Sequence, residues 1–481
     1  MQNTVAFPVE MNYNLYGEYI ISQMERLSMK KTISVLTVLV LLIAVFPSAI
    51  YSDAYSDAAY SAVLNGLKQG LPEISLSAYG LTQPEVKALF EEVLYNNPEL
   101  FYIGTSFSVR IVSSKVTALM PQYTMSGTEL AAAKVYFNSE IDRIAAYVPA
   151  GLSDIQTALF LHDYICVNYE YDNSLVSSNA YSMLKEGKGV CMAYTLLYDA
   201  LLSEFGIESQ SVTSTEINHM WNRVKLGGKW YNIDVTMDDP VADRFGRANH
   251  TYFLLSDTAI SSDHGSSYGG FGTATDTGYD TFSWHGVSAP FAFAGGKTYC
   301  ISGASICTVD ISSGIIAEVY QITDKWYVWG SNSYYTGCYS GLGSYGKYVI
   351  FNTADRIYAF DTSSHTVTEV YGNGYGDGYI YYCFAYGGNV SFAVAQNPSL
   401  SVTKRICSVP IALVSSYRLG DVNMNGSIEA ADYLMTKRAF LGSFVLSEKQ
   451  TFLADVNGNG IVDATDYLMI KRHFLGTYTI K

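Results

Sequence analysis

Apolar and polar positions repeat with two periods along the middle of this chain, and each period predicts its own elements. Ala193, Leu196, Leu197, Ala200 and Leu201 recur at i, i+3, i+4, i+7 and i+8, one stripe of an amphipathic helix. Gly206 is placed to end that helix, and Cys191 stands at or just before its first turn. Two alternating runs then flank Gly227-Gly228 and predict a β-hairpin. With a two-residue loop Leu226 pairs with Lys229, and paired positions sum to 455. Trp221 then faces Asp234, His219 faces Thr236, and His219 and Asp234 are diagonal neighbours on one face. Met220, Val224, Leu226, Tyr231, Ile233 and Val235 form the opposite, core-facing side.

A second regularity closes the chain. Asp421 to Asp432 (DVNMNGSIEAAD) matches Asp455 to Asp466 (DVNGNGIVDATD), 34 residues later, and the likeness runs on through Asp-Tyr-Leu-Met, Lys-Arg and Phe-Leu-Gly. Each unit places oxygen ligands at positions 1, 3, 5, 7, 9 and 12 of a calcium loop. The first offers Asp421, Asn423, Asn425, the Ser427 carbonyl, Glu429 and Asp432; the second Asp455, Asn457, Asn459, the Ile461 carbonyl, Asp463 and Asp466. Gly426 and Gly460 hold position 6, where the chain turns sharply. Calcium is a hard cation, so an all-oxygen set suits it and two Ca2+ are expected. Leu434, Phe440, Leu441 and Leu468, Phe474, Leu475 suit one helix face, with Gly442 and Gly476 as stops.

Residues 418–478 resemble a type I dockerin, the module that binds cohesin domains on scaffold proteins of cellulosome-type assemblies. The resemblance implies cohesin contacts at loop positions 10 and 11 and at the following Lys-Arg pair. Those are Ala430, Ala431, Lys437 and Arg438 in one half and Ala464, Thr465, Lys471 and Arg472 in the other. Many dockerins carry Ser or Thr where Ala430 and Ala431 stand. The near-identity of the halves allows two binding orientations about 180° apart.

Other features set the surroundings. Met29-Lys30-Lys31, an apolar run over 32–46 and a small-residue site, Ser52-Asp53-Ala54, with cleavage expected after Ala54, form an export signal, too short for a membrane span of ~20 residues. Residues 1–28 fit poorly before it, so Met29 is the expected start, and the mature protein is expected outside the cell, free of the membrane. A formal charge of −15 argues against nucleic-acid binding. Of seven cysteines, five lie beyond residue 299, where any disulfides are expected. Residues 261–280 read as a Gly/Ser/Thr-rich loop or linker. The β-rich region 286–415 repeats Ile306–Tyr320 as Ile357–Tyr371, 51 residues later, a spacing that suits propeller blades or a partial β-array. The 41 tyrosines, most in Gly-rich stretches, fit half-buried strands.

The chemistry is expected in region 60–285. Cys191 at a helix start has the dipole and free N–H groups that favour a thiolate. His219 is its candidate base, Asp234 the group that orients the imidazole, and Tyr171 a candidate second oxyanion donor beside the backbone N–H of Cys191. His162 and His250 read as ordinary buried histidines. The stretches around Cys191 (GKGVCMAY), His219 (NHMWN) and Asp234 (WYNIDVT) resemble the transglutaminase-like superfamily, related to papain-type thiol enzymes. So do Asn249–Asp257, Asn97–Tyr102 and His162-Asp163-Tyr164. This implies an α+β fold and acyl transfer or hydrolysis at protein, peptide or cell-wall amides through a thioester, with no cofactor for the thiol site. The alternatives are a non-catalytic binding or adhesion component of the same assembly, or an accessory protein in polysaccharide degradation. The whole reads as an α+β transglutaminase-like domain, a β-rich middle region and a small all-α calcium-binding dockerin.

Overall fold

The computed structural model describes residues 3–7, 55–240, 245–266, 268, 272–324, 326–329, 334–372, 378–395, 405–411, 419–423 and 427–480. The export signal over 29–54 lies outside them. Among the described residues no helix is long and apolar enough to cross a membrane.

The first layer pairs helices with a small antiparallel sheet. Strand β1 (Asn3–Phe7) lies against β3 (Ile103–Val112), and with β2 (Ile74–Ser75) and β4 (Lys115–Tyr123) the order is β1-β3-β4-β2. Helices α1 (Asp57–Lys68) and α2 (Gln83–Tyr95) bury Val63, Leu67, Val86, Leu89, Phe90 and Val93. Thr82 and Glu85 close a capping box at the start of α2.

The next elements are α3 (Gly127–Ala145), α4 (Asp154–Asn168), β5 (Glu170–Tyr171), α5 (Ala180–Glu186), β6 (Lys188–Gly189) and α6 (Cys191–Glu204). A second antiparallel sheet follows: β7 (Ser209–Ser214), β8 (His219–Leu226) and β9 (Lys229–Ile233), then a helical turn α7 (Val235–Asp238), β10 (Phe253–Leu255) and α8 (Asp257–His264). Its order is β10-β9-β8-β7. Every residue of α6 from Cys191 to Leu202 is buried, so the expected single stripe is a helix enclosed on all sides, packed by α3, α4, α5, β7 and β8. The β8–β9 register is the expected one, Leu226 opposite Lys229 and Asn222 opposite Ile233. It stops at Ile233, because Asp234 leaves the strand to cap α7; Thr236 therefore does not face His219 across a ladder.

The β-rich region is a series of antiparallel meanders. One sheet runs β11 (Ala292–Ala294), β12 (Lys297–Ser302), β13 (Ser305–Asp310), β14 (Ile315–Gln321); after the pair β15 (Trp326–Trp329) and β16 (Tyr334–Gly337), another runs β17 (Leu342–Tyr345), β18 (Tyr348–Asn352), β19 (Arg356–Asp361), β20 (Val367–Gly372). The 51-residue repeat holds in detail. Register shifts fall at Ile306/Cys307 and Ile357/Tyr358, and Asp310 and Asp361 each accept N–H bonds from the second and third residues that follow. Strands β21 (Tyr379–Tyr386), β22 (Asn389–Ala395) and β23 (Arg405–Pro410) form a third meander. The segment expected as a linker is helical up to His264, and Phe291, Phe293, Cys300 and Phe384 share one apolar core with α4 and α6. All seven cysteines are free thiols, with Cys300 opposite Cys307 across β12–β13.

The C-terminal unit holds α9 (Ala430–Phe440), α10 (Glu448–Ala454) and α11 (Ala464–Phe474) around Val422, Ala454, Val456 and Ile470. The apolar residues expected on one helix face turn outward. Leu434, Phe440, Leu441, Leu468 and Leu475 are exposed, because α9 and α11 meet through Tyr433 and Tyr467 instead.

Candidate active site

Backbone fit places Cys191. Strands β5 and β6 pair in parallel, with Tyr171 opposite Gly189, so Tyr171 runs alongside the chain two residues before Cys191. A Cβ on Gly189 would lie 2.6 Å from Ala193 Cβ and 2.9 Å from Met183 Sδ, so α5 and α6 approach closely only because this residue has no side chain. Val190 is the N-cap and Cys191 the first helical residue, in the turn whose N–H groups have no partner within the helix.

Hydrogen bonds pin the histidine strand to that helix. Thr195 Oγ1 lies 2.9 Å from the Cys191 carbonyl and 3.1 Å from that of Met220, and Asn222 Nδ2 donates to the Thr195 carbonyl at 3.1 Å. His219, buried at the start of β8, has the Cys191 thiol beside its ring, while its Nε2 lies 2.5 Å from Asp234 Oδ2. Asp234 is fixed in turn: Oδ1 accepts the Met237 N–H at 3.0 Å and its own N–H donates to Tyr252 O at 3.1 Å. Trp221 stacks on His219 with ring centroids 5.9 Å apart. Cys191, His219 and Asp234 are therefore contiguous, with Tyr171 on the neighbouring strand.

Sequence reasoning missed one member of this cluster. His264 ends α8, with Nε2 2.8 Å from the same Asp234 Oδ2 and Nδ1 2.7 Å from Asp263 Oδ1. The Ser256 cap and the eight residues after it mark a short helix, but only tertiary packing aims His264 at Asp234. Burial presses His219 toward the neutral form, yet the Asp234 carboxylate, with the Cys191 sulfur beside it, raises its ionisation to about 10. Burial likewise opposes the Asp234 charge, but the His219 and His264 imidazoles hold that carboxyl well below the usual range. The ring nitrogens of His219 and His264 and the Asp234 oxygen lie close enough for a metal to be considered. Contacts of 2.5 and 2.8 Å are hydrogen-bond lengths, shorter than the ~3.3 Å between ligands of a tetrahedral metal with bonds near 2.0–2.1 Å. Protons fit the cluster better.

A second buried network stands behind the first. Asp163 Oδ1 lies 2.9 Å from His162 Nδ1 and 2.7 Å from His250 Nε2, and Asp163 Oδ2 accepts the Phe291 N–H at 2.7 Å. His162 Nε2 reaches Asp238 of α7 at 3.2 Å. Burial opposes the His162 charge, but Asp163 and Asp238 raise its ionisation to about 9. The two histidines read as structural thus brace α4, α7 and the start of the β-rich region together.

The C-terminal loops close on their last ligand. Asp466 accepts the N–H groups of Asn457 and Asp463, and Asp432 those of Asn423 and Glu429. Burial, followed by neighbouring carboxylates, raises the ionisation of both, a repulsion that a dication offsets. Gly460 has φ +88°, as position 6 requires; Asn425 and Gly426 lie outside the described residues. The oxygens present fit Ca2+. Among the proposed cohesin contacts Ala430, Ala431, Arg438, Thr465, Lys471 and Arg472 are exposed, and Lys437 and Ala464 partly so.

Residues 143–235 match the model of the transglutaminase-like superfamily, and residues 419–475 that of the dockerin type I domain. No curated protein matches the chain. A solved transglutaminase ("TGase") is similar at 14% identity over 30% of this chain and 47% of its own, TM-score 0.20. A protein of Cytophaga hutchinsonii provisionally named a cysteine protease is similar at 16% identity over 28% and 58%, TM-score 0.19. The chain spans about half the length of these structures. Type I dockerin domains generally bind calcium and cohesin partners, and typically occur in secreted proteins. The chain thus carries a transglutaminase-like domain over residues 143–235 and a type I dockerin domain over residues 419–475.

Proposed function

We propose that this protein is an exported thiol enzyme that cleaves or transfers protein or peptide amides while held on a scaffold by its dockerin. The single observation that carries it is the buried His219 ring, which has the Cys191 thiol among the groups acting on it and the Asp234 carboxylate 2.5 Å from its Nε2. In this reading His219 takes the Cys191 proton, and Sγ attacks the amide carbonyl to form a C–S bond. His219 then returns the proton to the leaving nitrogen as the C–N bond breaks. Water or an amine attacks the thioester, giving its proton to His219, and the C–S bond breaks as the Cys191 thiolate leaves and takes that proton back. Asp234 orients the imidazole, and the Cys191 N–H, with Tyr171 as second donor, holds the oxyanion. Incubation with p-nitrophenyl acetate and with glutamine-bearing peptides tests it. A mass adduct on Cys191, absent in Cys191→Ala, supports the chemistry; no adduct at any pH overturns it.

The burial of Cys191 (5% exposed) and His219 (3%) favours a second reading, a closed fold retained for binding in the same assembly or as an accessory to polysaccharide degradation. Peptide release separates the first reading from sugar release or none. The dockerin arm of the proposal is two Ca2+ held by Asp421, Asn423, Asn425, Ser427, Glu429 and Asp432 and by Asp455, Asn457, Asn459, Ile461, Asp463 and Asp466. A cohesin would dock on the exposed faces of α9 and α11.

A further inference from the structure

His264 belongs to the buried cluster but takes no part in the reaction above. Both of its ring nitrogens lie at carboxylate oxygens, and the Asp234 oxygen it meets is also the partner of His219. The geometry points to His264 as a positioning residue, which shares the Asp234 carboxylate with His219 and so limits how tightly Asp234 holds the His219 proton. This rests on the thiol reading of Cys191, His219 and Asp234.

A carboxylate oxygen that accepts two donors divides its charge between them. A neutral imidazole can donate from one nitrogen only, whereas an imidazolium donates from both. With a carboxylate oxygen at each ring nitrogen, a donor of His264 can lie at the same Asp234 oxygen that His219 meets. An imidazolium held by Asp234 alone would surrender its proton reluctantly, and a general acid works best when its ionisation lies near the working pH. The competing donor moves His219 in that direction. The groups that face His264 are Asp234 at the cap of α7, Asp263 on its own helix, His219 and Trp221 on β8 (ring centroids 5.7 and 5.0 Å), and Tyr252, whose ring lies at 5.0 Å. The Tyr252 hydroxyl donates to the other oxygen of Asp263 at 2.7 Å, completing a chain from the half-exposed Asp263 to the thiol.

The test is an NMR titration of the histidine rings in the full chain, for wild type, His264→Phe, His264→Gln and Asp263→Asn. The pH at which His219 loses its proton should rise by about half a unit or more in His264→Phe, a fraction of the roughly one to two units that one hydrogen bond to a charged group is worth. Asp263→Asn should shift it the same way by less, and His264→Gln, which keeps an N–H donor, should return part of the shift. A residue that merely props α8 would leave the titration where it is. In the same samples Cys191 is labelled with iodoacetamide at pH 6, with His219→Ala as control. Labelling that depends on His219, together with a His219 titration identical in wild type and His264→Phe, overturns this inference alone. Labelling indifferent to His219→Ala overturns the thiol reading and the inference with it. If His264→Phe does not fold, the surface variant Asp263→Asn decides, and no shift there overturns the inference.

Discussion

Replacing Asp234 by Asn keeps the shape of the site and removes its charge. In the native protein His219 is fully buried and yet raised to about 10, against an ordinary value near 6.5, with Asp234 the main cause in that direction. Without the carboxylate charge, burial acts almost alone, and the imidazole should lose its proton at or below ~6.5. The change of at least ~3.5 units corresponds to a preference for the charged ring on the order of 5 kcal/mol. The sign of the pH dependence changes with it. A raised histidine stabilises the fold fully below ~6.5, and that contribution is lost as pH rises through about 10. In Asp234→Asn a depressed histidine destabilises the fold as pH falls below ~6.5. The stability gap between the two proteins should therefore narrow by ~1.4 kcal/mol per unit from pH 7 to pH 9. Histidine-ring NMR reports the titration, and chemical unfolding at fixed pH reports the gap. A His219 resonance that titrates alike in both proteins would refute the reasoning.

Other perturbations test other parts of the account. Gly189→Ala inserts a methyl group against Ala193 and Met183, so the transglutaminase-like domain should lose about 1–3 kcal/mol in a denaturant titration and Cys191 should label more slowly. His162, raised to about 9, stabilises fully below ~6.5 and loses that contribution as pH rises through 9, so thermal melting should fall between pH 7 and pH 9, less so in His162→Gln. Chelation of calcium should lower the melting of the C-terminal unit by up to ~2.7 kcal/mol per site held at a hundredfold excess over its dissociation constant, as read by calorimetry, and abolish cohesin binding. Asp466→Ala should reproduce the effect for its own loop.

Local rules carried far where one covalent neighbourhood decides the outcome. The Gly227-Gly228 turn sets the β8–β9 register, and that register with the turn of Asp234 out of the strand brings His219 near Asp234. The 51-residue repeat extends to the same bulge and the same Asp turn in β13–β14 and β19–β20, because the shared Asp-x-Ser-Ser segment chooses the same turn hydrogen bonds. Expectation failed where tertiary neighbours decide. The stripe on α6 could not show that its polar side is also buried, since Thr195 and Asp199 find partners on β8 and at Ser209. Leu434 and Leu468 follow a helical period but point to solvent, because periodicity marks a face without naming what covers it. His162 meets Asp238 76 residues away, His250 meets Asp163 87 residues away, and His264 meets Asp234 30 residues away, and no spacing rule joins these pairs.

The most direct test of the central claim is the rate of Cys191 alkylation by iodoacetamide from pH 5 to pH 9, in wild type and in His219→Ala. A free thiol ionises near ~8.5, so an unassisted cysteine would be about 0.3% thiolate at pH 6. Rapid labelling at pH 6 that falls roughly a hundredfold in His219→Ala is the predicted result, the mark of a thiolate held by an imidazolium. Labelling that climbs only near pH 8.5 and ignores the mutation would contradict the account.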